Sequence, residues 1–341
     1  MGNISLRAFA KINLSLDVTG EPQNGYHPIR SVMQAIGVHD DIAVETKGRA
    51  GLYGGVSVKI DASTDMAAPG FSVPSGKGNI MYRAAVAMAD HFCPLSGTGI
   101  SLRVVKRIPV SAGLAGGSTD AAAVMLALAR LWALDADLPA LMRVGASVGA
   151  DVPFCLIANA KLNPALGFAD AGSASACALA EGIGEALTPL ASARGGAILV
   201  KPNLAVSTAR VYGLWDEYVA DAAGLPPERP DTDALARALA RTEASRGPRE
   251  AASDAPANDI SKYMVNVLEP VAARAYAAVG ETIERIRGLI APDRVFMSGS
   301  GPTVVAYFAD RAEAEEAAAR CARAFAAQPA EGYYVRFAEL M

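Results

Sequence analysis

The chain has 341 residues, of which 52% are hydrophobic and 19% charged, a balance that builds ample core in two ordinary domains and excludes a disordered or fibrous chain. A formal net charge of −4 argues against the basic surface of a nucleic-acid binder, while leaving room for a local basic pocket. Arg130 and Asp135 interrupt the richest apolar stretch, so no membrane span is expected. Cys93, Cys155, Cys177 and Cys321 stand far apart with no Cys-x-x-Cys, which suits a reduced cytoplasm. The opening MGNISLRAFAK has no apolar signal-peptide core, and three histidines (His27, His39, His91) make a histidine-rich metal site unexpected.

Residues 4–18 alternate almost without fault, with Ile4, Leu6, Ala8, Ala10, Ile12, Leu14, Leu16 and Val18 on one face. That pattern predicts a half-buried antiparallel strand. A turn over 20–25 leads to a second strand at 30–36, and shorter strands are expected at 41–45 and 56–60. Helices are predicted over 78–91, 118–134 and 138–148, with a strand at 100–108 between the first two. After residue 190 the pattern gives a strand at 197–200 and a helix at 208–218. Residues 221–257, rich in Pro, Asp, Arg and Ala, read as a surface helix with loose flanks. A long helix at 267–289, strands at 294–297 and 303–308, a helix at 312–327 and a strand at 333–337 complete an α+β sandwich.

The segment PVSAGLAGGSTD lies between the 100–108 strand and an alanine-rich helix. Free N–H groups at a helix start, the positive end of its dipole and glycines that admit close approach make this order an anion-binding device. Neither GxxxxGK[ST] nor GxGxxG is present, so the loop on its own could equally be a tight turn before a closely packed helix. Lys11 and Asn13 share the polar face of the first strand, either as part of a solvated sheet face or as groups held near a phosphate. Asp151, past the end of the 138–148 helix, is either a turn former set against the helix dipole or a partly desolvated carboxylate that takes a proton or orients a hydroxyl. Ser298-Gly-Ser-Gly-Pro302 reads as a hairpin turn that also lets a phosphate or substrate come close. Tyr26-His27 is either a plain turn or a platform for a base. His39-Asp40-Asp41 reads as a solvated strand start, and the 311–323 helix presents a charged surface.

Taken together and in this order, these motifs resemble the GHMP superfamily of small-molecule kinases. The resemblance rests on Ala10-Lys-Ile-Asn-Leu14, Asn24-Gly-Tyr-His27, the 108–122 loop and helix start, Gly149-Ala-Asp-Val-Pro153, Asn258-Asp259 and Met297-Ser-Gly-Ser-Gly-Pro302, which span nearly the whole chain. It implies a two-domain α+β fold, with an N-terminal domain (1–190) like ribosomal protein S5 domain 2 and a C-terminal ferredoxin-like sandwich (191–341), the active site lying between them.

It also implies ATP-dependent phosphorylation of the 2-hydroxyl of a cytidine-diphosphate-linked alcohol in isoprenoid precursor synthesis. The alternatives are another GHMP kinase, acting on homoserine, a sugar or a mevalonate derivative, or a non-catalytic ligand sensor. Carried over by residue, Asp151 is the base and Lys11 neutralises charge beside it. Pro109, Val110, Ser111, Ala112, Gly113, Leu114, Ala115, Gly116, Gly117, Ser118 and Thr119 wrap the ATP phosphates, with Ser118 or Thr119 meeting Mg²⁺. Lys106 and Asn79 contact adenosine. Tyr26 and His27 hold the cytosine, with Tyr212 on its other face and Asn13 nearby, and Gly299 and Ser300 complete the substrate side. Small molecules are the implied partners, with no nucleic acid or membrane and no stated oligomer. The chain departs from the family pattern at Asn24, Pro28 and Thr119, in an apparent insertion near 158–175, and in the run 177–185.

Overall fold

The computed structural model describes residues 2–23, 25–47, 57–64, 73–74, 76–92, 99–221, 228–244, 260–327 and 332–341. Asn24, Val56, Cys93, Asn258 and Asp259 lie outside the described residues.

β1 (Gly2–Val18) and β2 (Ile29–Lys47) form a long antiparallel pair. On its other edge β2 pairs with two strands in succession. Its far half is antiparallel to β4 (Gly99–Lys106), which itself runs parallel to β3 (Ser57–Thr64). Its near half pairs with β5 (Cys177–Glu181), and β6 (Ala186–Leu190) closes that edge. A second sheet holds β7 (Gly196–Lys201), β8 (Arg294–Met297), β9 (Val304–Phe308) and β10 (Tyr334–Glu339) in the order β10-β7-β9-β8, antiparallel throughout.

Helices α1 (Ile80–Phe92), α2 (Gly116–Leu131), α3 (Leu138–Val148) and α4 (Val152–Leu162) pack on the first sheet. α2 is the centre of that layer: Ala121 to Ala129 are all buried, and the alanines let its neighbours approach closely. The outer face of the second sheet carries α5 (Thr208–Ala220), α7 (Glu269–Ala275), α8 (Ala277–Leu289) and α9 (Arg311–Ala326), while α6 (Thr232–Ala244) covers the join. The inner faces of the two sheets share one core, in which Ala10, Ile12, Leu14, Val32 and Ile36 meet Leu199, Phe296, Val305 and Tyr307. Each large side chain buried there contributes about 1.5–3 kcal/mol. The result is an α+β molecule of four layers, helices, sheet, sheet and helices.

Four features differ from what the sequence predicts. β1 is half-buried only at its start. From Ala8 to Leu16 it is buried on both faces, because residues 265–267 bond its backbone at Leu16 and Ser15 Oγ meets Thr232 Oγ1 at 3.1 Å on α6. The strands expected at 30–36 and 41–45 are one strand, β2. A register shift opposite Phe9 and Lys11 takes up the extra residues around Gly37, so the glycine marks a bulge and not a break. The helix expected over 267–289 is two helices that meet at an extended Tyr276 (φ −129°, ψ 90°), with no glycine or proline at the break to announce it. Finally, the start of the apparent insertion is the last part of α4. Its Asn159 is fully buried, accepts from Phe9 N–H at 3.0 Å and donates to the Thr119 hydroxyl at 2.9 Å, and β5 and β6 follow in a stretch where no strands are predicted.

Candidate active site

The loop between β4 and α2 turns through three left-handed residues, Ser111 (φ 52°), Gly113 (φ 73°) and Ala115 (φ 56°). Of the three, Gly113 is the position that favours glycine most, since a Cβ there would lie 2.3 Å from the Ser298 carbonyl oxygen. The Lys11 N–H donates to Leu114 O at 3.1 Å and the Ser298 hydroxyl to Gly113 O at 3.0 Å, so both sheets hold the loop in place. No side chain caps α2 at Ala115, which leaves the N–H groups of its first turn open to an anion. They border a cavity of about 170 Å³ lined by Asn79, Lys106, Pro109, Gly116, Gly117 and Asp120, among others.

Two residues expected at the nucleotide also build the wall of that cavity. Asn79 donates to Pro74 O at 2.8 Å and accepts from Met81 N–H at 2.8 Å, which fixes the start of α1. The Lys106 ammonium is committed to Asp120, at 2.6 Å, and to Asp40. Asp40 also accepts the backbone N–H groups of Arg107 and Ile108, so it is a fully buried anchor and not the solvated strand start expected from the sequence. Burial alone would lower Lys106, yet Asp120 and Asp40 together hold its ammonium above the ordinary lysine range. Burial pushes the Asp120 carboxyl well up, against the downward pull of Lys106.

Lys11 lies across the loop. Its ammonium donates to Asn13 Oδ1 at 2.6 Å and stands 3.6 Å from Asp151 Oδ2. Asn13 donates in turn to Ser31 Oγ at 2.8 Å, and Ser31 to Ser15 O at 2.5 Å, so Lys11, Asn13 and Ser31 form one connected chain of hydrogen bonds. With Lys11 4% and Asn13 1% exposed, the polar face of β1 is the floor of a cleft and not a solvated surface. Asp151 follows α3 but immediately precedes Val152 at the start of α4. Asp151 therefore stands at the positive end of the α4 dipole, and not only at the negative end of α3 as expected from the sequence. Its carboxyl is one-third exposed and so open to a substrate.

The 298–302 segment is a hairpin turn and also a wall of the cleft. Gly299 approaches Gly113 and Asn13 so closely that an added Cβ would lie 3.2 Å from Gly113 O and 3.5 Å from Asn13 Oδ1. Asn266, which sequence reasoning missed, donates to both Met297 O and Gly299 O at 2.7 Å and fixes the turn. Ser300 Oγ meets Thr208 Oγ1 at 2.9 Å. Of the two hydroxyls expected at Mg²⁺, Thr119 is fully buried and bonded to Asn159, whereas Ser118 is partly exposed.

At the far end Tyr26 is 56% exposed. Tyr212 stacks directly on His27, with ring centroids 4.8 Å apart at 26°, so the two rings touch with no room for a base between them. Burial and then the nearby charge of Asp151 push the Tyr212 phenol above its usual range. Asp216 accepts from His27 Nε2 at 2.6 Å. Thr208 and Asp216 were also missed, although Thr208, Tyr212 and Asp216 fall at i, i+4 and i+8, the spacing of one helix stripe.

Lys11, Asp151, the uncapped glycine loop and the 298–302 turn border one cleft, and the family models place the chain among the GHMP kinases, small-molecule phosphotransferases. The GHMP kinases N terminal domain matches residues 79–159 and the GHMP kinases C terminal domain residues 248–327. The chain is 38% identical over 315 residues to the 4-diphosphocytidyl-2-C-methyl-D-erythritol kinase of Acetivibrio thermocellus, covering 92% of this chain and 93% of that one. It is 34% identical to the enzyme of that name from Clostridium acetobutylicum, covering 92% and 94%. The chain belongs to the 4-diphosphocytidyl-2-C-methyl-D-erythritol kinase family. A solved 4-(cytidine 5'-diphospho)-2C-methyl-D-erythritol kinase superposes with a TM-score of 0.64 at 28% identity, covering 98% of this chain and 99% of that one. The homoserine kinase of Cytophaga hutchinsonii reaches the same TM-score at 15% identity, covering 100% and 95%, and shares the fold. Among the described residues no helix is long and apolar enough to cross a membrane.

Proposed function

We propose that this kinase moves the γ-phosphoryl group of ATP to the 2-hydroxyl of 4-diphosphocytidyl-2-C-methyl-D-erythritol, in the cytoplasm, in a cleft between domains 1–190 and 191–341. The observation that carries this reading is the Lys11–Asp151 pair at 3.6 Å, set between the glycine loop and α5. The triphosphate lies along residues 109–119 and the open N–H groups of α2, with its adenosine over the wall that Asn79 and Lys106 build. The acceptor lies on the other side, bordered by Gly299 and Ser300, with its cytosine at Tyr26, His27 and Tyr212 and with Asn13 close by.

Asp151 takes the proton of the 2-hydroxyl as that oxygen bonds to the γ-phosphorus and the bond to the bridging oxygen of ADP breaks. Lys11 neutralises the charge that gathers on the phosphoryl oxygens. Phosphoryl transfer runs through a loose transition state, so this positioning and neutralisation matter more than a strong base. Among the described residues no group of three or more His, Cys, Asp or Glu side chains could hold a metal ion. A Mg²⁺ that keeps its phosphate and water ligands fits the partly exposed Ser118, and when bound it supplies further neutralisation of the phosphates.

A substrate panel tests the reading. ADP release is expected with the cytidine-diphosphate alcohol and not with homoserine or mevalonate, and the opposite pattern would sink it.

A further inference from the structure

α5 runs from the reacting end of the cleft to its far end. Thr208 meets the 298–302 turn, Tyr212 lies within electrostatic reach of Asp151, and Asp216 ends on His27, over a helical rise of about 12 Å. The last contact fixes which tautomer the neutral ring adopts. A carboxylate only accepts, so His27 Nε2 must carry the proton, which makes Nδ1 the single acceptor of the neutral imidazole. The His27 side chain is 9% exposed and stacked on Tyr212, so the ring is held in place, whereas Asp216 is 47% exposed and can be replaced without leaving a buried hole.

We propose that Asp216 is a specificity-determining residue, a positioning group that locks His27 as a hydrogen-bond acceptor toward a pyrimidine. Cytosine donates from its 4-amino group, and uracil presents an accepting oxygen at the same place, so a fixed acceptor selects the first and repels the second. Without the carboxylate the proton is free to sit on either ring nitrogen, and the form with Nδ1–H suits uracil. The proposal rests on the acceptor being a cytidine nucleotide, as proposed above.

The test compares the wild type with Asp216→Ala, Asp216→Asn and, as a control on the same exposed side of α5, Glu217→Ala. Binding of CDP and of UDP is read by calorimetry, which needs no turnover. Asp216→Ala is expected to narrow the preference for CDP over UDP by about tenfold, the size of one mismatched hydrogen bond. It should also raise KM for the cytidine-diphosphate alcohol while leaving KM for ATP in place. Asp216→Asn, whose amide oxygen still accepts from Nε2–H, should keep most of the preference, and Glu217→Ala all of it. Nitrogen-15 spectra of His27, one of three histidines, should show Nε2 protonated in the wild type and a mixture of tautomers in Asp216→Ala. An unchanged CDP-to-UDP ratio in Asp216→Ala overturns the proposal, as does an equal loss for both nucleotides, which is what a merely structural role gives. If the ratio shifts while the wild type fails to phosphorylate the alcohol, the substrate reading falls and the assignment of Asp216 stands.

Discussion

Lys11 and Asp151 show what a single residue can and cannot reveal in a sequence. On β1 the alternation assigns Lys11 to a polar face, and nothing local separates a solvated face from the floor of a cleft, because the covering groups come from residues 113–114 and 263–299. Asp151 was legible as a carboxylate among small residues. Its placement at the start of α4 depended on recognising a helix in the mostly apolar 152–162 stretch, where no period stands out. Asp151→Asn removes the proposed proton acceptor with little change in shape, so kcat is expected to fall by at least about 100-fold while nucleotide binding survives. Steady-state rates and ATP titration check this, and unchanged turnover would take the role from Asp151. The Asp40–Lys106–Asp120 cluster was not legible, since 66 residues separate Asp40 from Lys106. Lys106→Met would leave two buried carboxylates unpaired and is expected to cost about 3–5 kcal/mol, read by denaturant unfolding.

Elements were legible where local chemistry decided them. The glycine loop between a strand and a helix, the 138–148 helix and the 298–302 hairpin follow from turn residues and periodicity. β2 was split at Gly37, the break at Tyr276 was missed and β5 and β6 were not expected, because in each case the outcome depends on a partner strand or helix far along the chain. The loop allows a direct test. Gly113→Ala places a Cβ 2.3 Å from the Ser298 carbonyl oxygen and a side chain at φ 73°. The expected outcome is a destabilisation of about 1–3 kcal/mol with a raised KM for ATP, measured by thermal unfolding and initial rates. Alanine at Gly172, where an added Cβ meets nothing, provides the comparison.

At the scale of the molecule, the α+β class was legible from the order of strands and helices, while the division at residue 190 came from the family resemblance. The common core of the two sheets was not legible, because each sheet read separately looks like a surface with one wet side. Since Ala10, Ile12 and Leu14 bury against Leu199, Phe296 and Val305, the full chain is expected to unfold in a single cooperative transition. A fragment of residues 1–190 should show no such transition by calorimetry, and a sharp one would mean that its layer stands alone. The shared core also governs motion. Hinge closure needs two bodies joined by a thin seam, and here the seam is packed side chains, tied at the cleft floor where the Ser298 hydroxyl meets Gly113. The cleft is therefore expected to act as a fixed socket, whose reactants displace water by fitting it and not by drawing the halves shut around them.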